Sequence, residues 1–172
     1  MKYSVLTALI ISAMLFTSCK SSTKEISEQP NILFIMSDDH TSQAWGVYGG
    51  ILQDYVHTPN ISRLADEGAV LNNSFCTNSI CVPSRATILT GQYSHNNGVY
   101  TLSDALTPER NNIAKELGKN GYQTAIIGKW HLKKEPSGFD YYNILHDQGR
   151  YWDPILRTKD NFHKKSNEWD IH

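Results

Sequence analysis

A continuous apolar run at residues 31–37 (NILFIMS) restricts the fold of this chain more than any other feature. Its length suits a β-strand, and the lack of apolar–polar alternation predicts a strand buried on both faces, as in parallel sheets. Similar runs at residues 69–75 and 123–128 alternate with helix signals. This order predicts an α/β fold with a parallel sheet, in which ligands bind beyond the carboxyl ends of the strands.

Helix signals between these runs come from proline near helix starts and glycine at helix ends. The predicted helices are residues 61–67, started by Thr58-Pro59-Asn60 and closed by Gly68; residues 83–90, closed by Gly91; and residues 107–119, with Thr107 as the N-cap, Pro108 at the first helical position and Gly121 after the end.

The first residues of the chain predict export. Lys2 precedes an apolar run at residues 5–16 that is short for a membrane span and ends in small residues, which is typical of a signal peptide. The segment that ends at Cys19 resembles a bacterial lipobox, in which the cysteine is lipidated, although Phe16 departs from the usual aliphatic residue. A plain signal peptide with an incidental cysteine is the alternative.

These interpretations divide the chain into three parts. A signal peptide (1–18) is followed by a lipid-anchored flexible tether (19–29), rich in Ser, Lys and Glu, and then by the folded part (30–172). Lipid on Cys19 would make a membrane a partner of the protein. The location it implies is the periplasm or the outer membrane of a Gram-negative bacterium.

Charge and cysteine content exclude two classes of protein. The 16 basic and 17 acidic residues give a formal net charge of −1, so we expect no nucleic-acid partner. Three cysteines cannot form the even framework of a small disulfide-stapled domain, and each thiol needs its own explanation.

Two adjacent carboxylates, Asp38 and Asp39, directly follow the first apolar run. Carboxylate oxygens at a strand end suit a hard divalent cation such as calcium or magnesium. A solvated turn is the alternative interpretation of the same pair.

The segment Cys81-Val82-Pro83-Ser84-Arg85 carries a second cluster. Pro83 places Cys81 at or just before the start of a helix, where free amides and the helix dipole favour an anion, and Arg85 lies one helical turn later. The spacing of four residues argues against a thiolate phosphatase, in which the arginine follows the cysteine by six. A zinc site is weakly supported, because Cys76 and Cys81 lack a second thiol pair or a histidine at metal-ligand spacing. For an isolated cysteine, a small buried side chain is the alternative.

Longer motifs around these residues resemble the type I sulfatases. Residues 81–91 (CVPSRATILTG) are similar to the first signature of that family, and residues 121–131 (GYQTAIIGKWH) to the second. Residues 31–40 resemble the family's opening metal-binding strand, and residues 57–61 the segment after it. The resemblance implies an alkaline-phosphatase-like α/β fold with a doubly wound, mostly parallel sheet, of which this chain is the amino-terminal part.

The resemblance also implies the chemistry. Cys81 would be converted to formylglycine by a formylglycine-generating or an anaerobic sulfatase-maturing enzyme, and its hydrated aldehyde would attack the ester sulfur. Arg85 would hold that hydrate, and Lys129 and His131 would contact the sulfate. A calcium ion would be held by Asp38, Asp39 and the modified residue 81.

Substrate class follows from residues outside the signatures. Segments 93–98 and 138–142, with Gln148-Gly149, resemble bacterial N-acetylglucosamine-6-sulfatases and related glycosaminoglycan- or mucin-desulfating enzymes, so a sulfated carbohydrate is the expected partner. The aromatic residues of this region either stack on sugar rings or belong to the core; they are Tyr141, Tyr142, Tyr151 and Trp152.

Two other functions stay open. One is a phosphonate or phosphate monoester hydrolase of the same superfamily, and the other is a non-catalytic remnant. Family members are much longer, and their remaining metal ligands lie in a later strand. No residue after Tyr151 matches those ligands, so we expect the 172-residue chain alone to be inactive.

Overall fold

A computed structural model describes residues 29–145 and 147–162. The predictions for the signal peptide and for Cys19 therefore lie outside the described residues, as does all of the tether except Gln29. The described residues divide into two compact units, one that ends at Gly68 and one that begins at Ala69. Within the described ranges, no helix is both long enough and apolar enough to cross a membrane.

Among its described residues, the first unit contains two 3₁₀ turns, Ser42–Ala44 and Gly46–Tyr48, and one α-helix, α1 (Pro59–Glu67). Pro59 occupies the first helical position and Gly68 follows the last, which confirms the predicted start and stop signals. Local backbone preferences are sufficient to place this helix.

The strand predicted at residues 31–37 is wrong for this structure. These residues have no regular secondary structure and are exposed, with Leu33 84% and Ile35 77% accessible. A strand buried on both faces needs hydrogen-bonding neighbours and covering side chains, and no described strand pairs with this segment. The run predicted at residues 69–75 is likewise not a strand, and Phe75 is 89% exposed.

The part of the second unit that the structure describes has three α-helices. They are α2 (Cys81–Thr90), α3 (Ser94–Asn97) and α4 (Ile113–Lys119). Helix α2 begins two residues earlier than predicted and ends at Gly91, as predicted; Gly91 adopts the left-handed conformation at φ +64° that favours glycine.

Helix α4 starts later than predicted, because Asn112 rather than Thr107 is the N-cap. The buried Asn112 side chain accepts a hydrogen bond from the Lys115 backbone N–H at 3.1 Å and donates one to the Ser137 carbonyl at 2.9 Å. Thr107 instead begins a turn, in which its carbonyl accepts from the Arg110 N–H. The contact with Ser137 outweighs the local Thr-Pro signal.

The described sheet has three strands: β1 (Ala125–Lys129), β2 (Tyr141–Leu145) and β3 (Leu156–Arg157). Strands β1 and β2 are parallel, with Ala125 opposite Tyr141, whereas β3 pairs antiparallel with the end of β2. The parallel arrangement is confirmed for β1 and β2, and β1 lies close to the predicted run at residues 123–128. The expected burial of this strand on both faces is wrong, because β1 has no fully buried residue and Ile127 is 73% exposed. The short β3 is not predicted by the sequence.

A hydrophobic core joins the α2 helix to β2 and to the segment after β1. Its buried members are Val82, Ala86, Val99, Leu106, Trp130, Leu132, Tyr142 and Ile144. This core holds the start of α2 beside the carboxyl end of β1, where the predicted catalytic residues lie.

Candidate active site

Cys81 is the first residue of α2 and is half-buried. The residue before it, Ile80, adopts an extended conformation, and its carbonyl accepts the first helical hydrogen bond from the Ser84 N–H at 3.0 Å. The predicted position of Cys81 at the helix start is therefore confirmed. The helix dipole favours negative charge at this position.

Arg85 lies one turn along the same helix and is only 9% exposed. Its Nη1 donates a hydrogen bond of 2.6 Å to the backbone carbonyl of Lys129, the last residue of β1. A charged donor on a backbone carbonyl makes one of the stronger protein hydrogen bonds. Arg85 thus ties the start of α2 to the end of β1.

Lys129 contacts both Arg85 and Cys81. Its backbone accepts the Arg85 hydrogen bond, and its ammonium lies 3.8 Å from the Cys81 sulfur. A cation at this distance stabilises negative charge that develops on residue 81 or on a group bound to it.

His131 follows two residues later in an unusual backbone conformation. Its φ is +57°, and the side chain is 8% exposed. Burial lowers the pKa of the imidazole below its ordinary value, and so do the charges of Lys133, Lys129 and Arg85, against an opposing effect of Asp147. His131 is therefore neutral at neutral pH.

The Nδ1 atom of His131 is buried and has no hydrogen-bond partner among the residues that the structure describes. Buried polar nitrogens normally have a partner, and exceptions concentrate at functional positions. A neutral imidazole with one unused nitrogen is suited to take up a hydrogen bond or a proton when a ligand arrives.

The second unit thus brings together all four predicted catalytic residues around the helix start and the strand end. Asp38 and Asp39 belong to the first unit, on an exposed bend after residues 31–37, and Asp39 has a φ of +52°. Their oxygen donors are the type that calcium prefers. A calcium site that includes Cys81 stays a prediction.

A cavity of about 140 Å³ adjoins His131. An ion pair at its lining, Lys133 Nζ to Asp147 Oδ1 at 2.7 Å, was not predicted from the sequence. The two residues are 14 positions apart with nothing periodic between them, so no sequence signal could have paired them.

The aromatic residues considered for sugar stacking divide into two groups. Tyr142 is fully buried in the core, where its hydroxyl donates to Glu135 Oε1 at 2.5 Å. Tyr141, Tyr151 and Trp152 are exposed, the last two at 95% and 87%. Only the exposed residues are available to a sugar ring.

Comparisons with known proteins agree with this geometry. The model of the family described as Sulfatase matches residues 30–164. The chain is 46% identical over 149 residues to the N-acetylglucosamine-6-O-sulfatase of Bacteroides thetaiotaomicron, covering 85% of this chain and 26% of that protein. It is 36% identical over 132 residues to the N-acetylgalactosamine-6-sulfatase of Homo sapiens, covering 66% and 25%.

A solved structure in complex with its substrate D-glucosamine-2-N,6-O-disulfate matches with a TM-score of 0.73 and 46% identity, over 77% of this chain and 27% of that one. The chain therefore spans about a quarter of the length of the relatives that it matches. Its likeness to this solved structure supports the predicted alkaline-phosphatase-like fold for the part that it covers.

Proposed function

The chain belongs to the sulfatase family. On that premise we propose that it is part of a sulfuric ester hydrolase that removes sulfate from a sulfated glycan, with N-acetylglucosamine-6-sulfate as the preferred sugar residue. The observation that carries the proposal is the placement of the Lys129 ammonium 3.8 Å from the Cys81 sulfur, at the start of a helix. A sulfate ester bound there meets positive charge from the side chain and from the helix dipole.

Residue 81 supplies the nucleophile in this proposal. Cys81 is converted to formylglycine, whose hydrate offers two hydroxyl groups: one forms a bond to sulfur as the bond from sulfur to the sugar oxygen breaks, and loss of the proton from the other re-forms the aldehyde and expels sulfate. Asp38, Asp39 and residue 81 would hold a calcium ion, which would lower the proton affinity of the nucleophile and draw charge from the sulfate oxygens.

The other three residues position the site or stabilise charge on the substrate. Arg85 keeps Lys129 in place through the 2.6 Å hydrogen bond to its carbonyl. Lys129 stabilises charge on the sulfate oxygens, and the neutral His131 donates a hydrogen bond from its ring N–H as charge develops on the departing group.

The proposal extends to maturation and location. A formylglycine-generating or an anaerobic sulfatase-maturing enzyme acts on Cys81 through the context of Pro83 and Arg85. A signal peptide and lipid on Cys19 place the protein at the periplasmic side of a Gram-negative membrane, where a polymeric sulfated glycan has access.

Peptide mass spectrometry tests the central step. The chain is co-expressed with a bacterial maturation enzyme, and the tryptic peptide 64–85, which contains both Cys76 and Cys81, is captured with a hydrazide reagent. We expect an aldehyde at position 81 and a free thiol at Cys76, which is exposed but lacks the motif. An unmodified thiol at 81 contradicts the proposed nucleophile.

A binding measurement tests the metal. Calcium affinity is measured by calorimetry for the chain and for Asp39→Asn, which removes one anionic oxygen donor without changing side-chain size. We expect the variant to bind at least about tenfold more weakly. Equal affinities exclude Asp39 from the ligand set.

A further inference from the structure

The segment after β1 forms a strained turn, which we define as the 130–134 turn. Both His131 and Lys133 have positive φ values, +57° and +65°, although neither is glycine. The left-handed region is disfavoured for residues with a Cβ atom, and such residues persist only where surrounding contacts hold them. Two of them within three residues require specific restraints.

Core packing supplies the first restraint. Trp130 and Leu132, which alternate with the two strained residues, are 5% and 0% exposed and belong to the core of the second unit. The Trp130 ring packs edge-to-face on Phe139, with ring centroids 6.2 Å apart. These contacts fix where the turn begins but not how it closes.

The Trp130 indole supplies the second restraint. Its Nε1 donates a hydrogen bond of 2.6 Å to the carbonyl of Lys134, so one side chain spans the whole turn. Inside that loop, the Lys134 N–H donates to the Leu132 carbonyl at 2.7 Å, and the Leu106 N–H donates to the same carbonyl at 3.3 Å. His131 is enclosed between the two ends that the indole joins.

We propose that Trp130 is a positioning residue, whose indole N–H keeps the 130–134 turn closed and thereby fixes the place of the His131 imidazole. The inference rests on the proposed function only for the role of His131. If the indole hydrogen bond is lost, the strain at His131 and Lys133 is no longer opposed at the carboxyl end of the turn. The imidazole then leaves its buried position while the core stays packed.

The test removes the N–H and keeps the shape. In the full chain, Trp130 is replaced with β-(3-benzothienyl)alanine, which carries sulfur in place of the indole nitrogen, and Trp130→Phe serves as a second variant. The imidazole of His131 is followed by ¹⁵N NMR against pH, and the amides of Lys134 and Leu106 by hydrogen exchange. We expect the His131 pKa to rise toward its ordinary value as the ring becomes hydrated.

Amide exchange at Lys134 and Leu106 should accelerate at least about fivefold, the effect of losing one net hydrogen bond. Thr124→Val is the matched control. It removes a buried hydroxyl next to the other end of β1, and that hydroxyl donates a hydrogen bond to the Gly138 carbonyl at 3.0 Å. It should lower the melting temperature and leave the His131 pKa unchanged, as a merely structural change would.

An unchanged His131 pKa and unchanged amide exchange in the benzothienyl protein overturn the proposal. So does an equal shift in Thr124→Val. None of these readouts uses turnover, so failure of the sulfatase assignment would be seen separately, as an absence of aldehyde at residue 81.

Discussion

Replacement of Arg85 with methionine tests the contact that joins the start of α2 to the end of β1. Methionine keeps an unbranched stem of similar length in a site that is 9% exposed, so most of the packing survives. The hydrogen bond of 2.6 Å to the Lys129 carbonyl is lost. A hydrogen bond to a charged group contributes about 1.5–3 kcal/mol.

We therefore expect Arg85→Met to lower the free energy of unfolding, measured by urea titration, by about 1.5–3 kcal/mol. Arg63→Met is the matched control, because Arg63 pairs with Glu67 at 3.6 Å on exposed helix α1, where side-chain exposures are 62% and 65%. Such surface pairs contribute about 0.5 kcal/mol or less. Equal losses in the two variants would show that the buried contact adds nothing beyond an ordinary surface charge, and the reasoning would be refuted.

Three further changes have defined outcomes. Hydrogen bonds from the Thr124 backbone N–H and hydroxyl lower the pKa of Asp140, so their contribution to stability is present above the unfolded pKa and is lost as pH falls through the folded pKa. Urea titrations of the native chain and of Asp140→Asn should therefore differ at neutral pH and begin to converge only as the pH falls below about 4. Tyr142→Phe removes the hydroxyl that donates to Glu135 and should lower the free energy of unfolding by about 1 kcal/mol, whereas an unchanged urea midpoint would make that bond irrelevant to stability. Cys19→Ala should move the protein from the membrane to the soluble fraction on cell fractionation, and persistent membrane association would argue against lipidation.

Helix boundaries followed from the sequence wherever the deciding interaction is local. Pro59 at the start of α1 and Gly91 at the end of α2 act through backbone conformations that need no distant partner. The start of α4 did not follow, because Asn112 is fixed by the Ser137 carbonyl, 25 residues away. A Thr-Pro pair at residues 107–108 gives the same local signal whether or not that contact exists.

The apolar run at residues 31–37 shows a different limit. Composition predicts that such a segment is stable as a buried strand, yet Leu33 is 84% exposed and its backbone has no ladder partner among the described strands. An apolar composition indicates that a segment is more stable when it is buried. Whether the segment is buried depends on neighbouring strands and side chains that other parts of the chain supply. β1 has a hydrogen-bonding neighbour in β2, so the prediction of a parallel pair was correct, but Ile127 in β1 is still 73% exposed.

The candidate site contains some features that the local sequence determines and others that depend on contacts between distant segments. Cys81 at a helix start and Lys129 at a strand end could be placed from the sequence, because helix starts and the carboxyl ends of parallel strands meet at one edge of an α/β sheet. The conformation of His131 could not, because no local sequence signal marks its positive φ, and the hydrogen bond from the Trp130 indole to the Lys134 carbonyl that spans its turn is visible only in the structure. Loss of the Trp130–Phe139 packing or of the indole hydrogen bond to Lys134 should therefore move the His131 imidazole, although neither change alters a catalytic side chain. A signature motif that includes Trp130 together with Lys129 and His131 is then physically understandable, because the tryptophan holds in place the turn on which His131 depends.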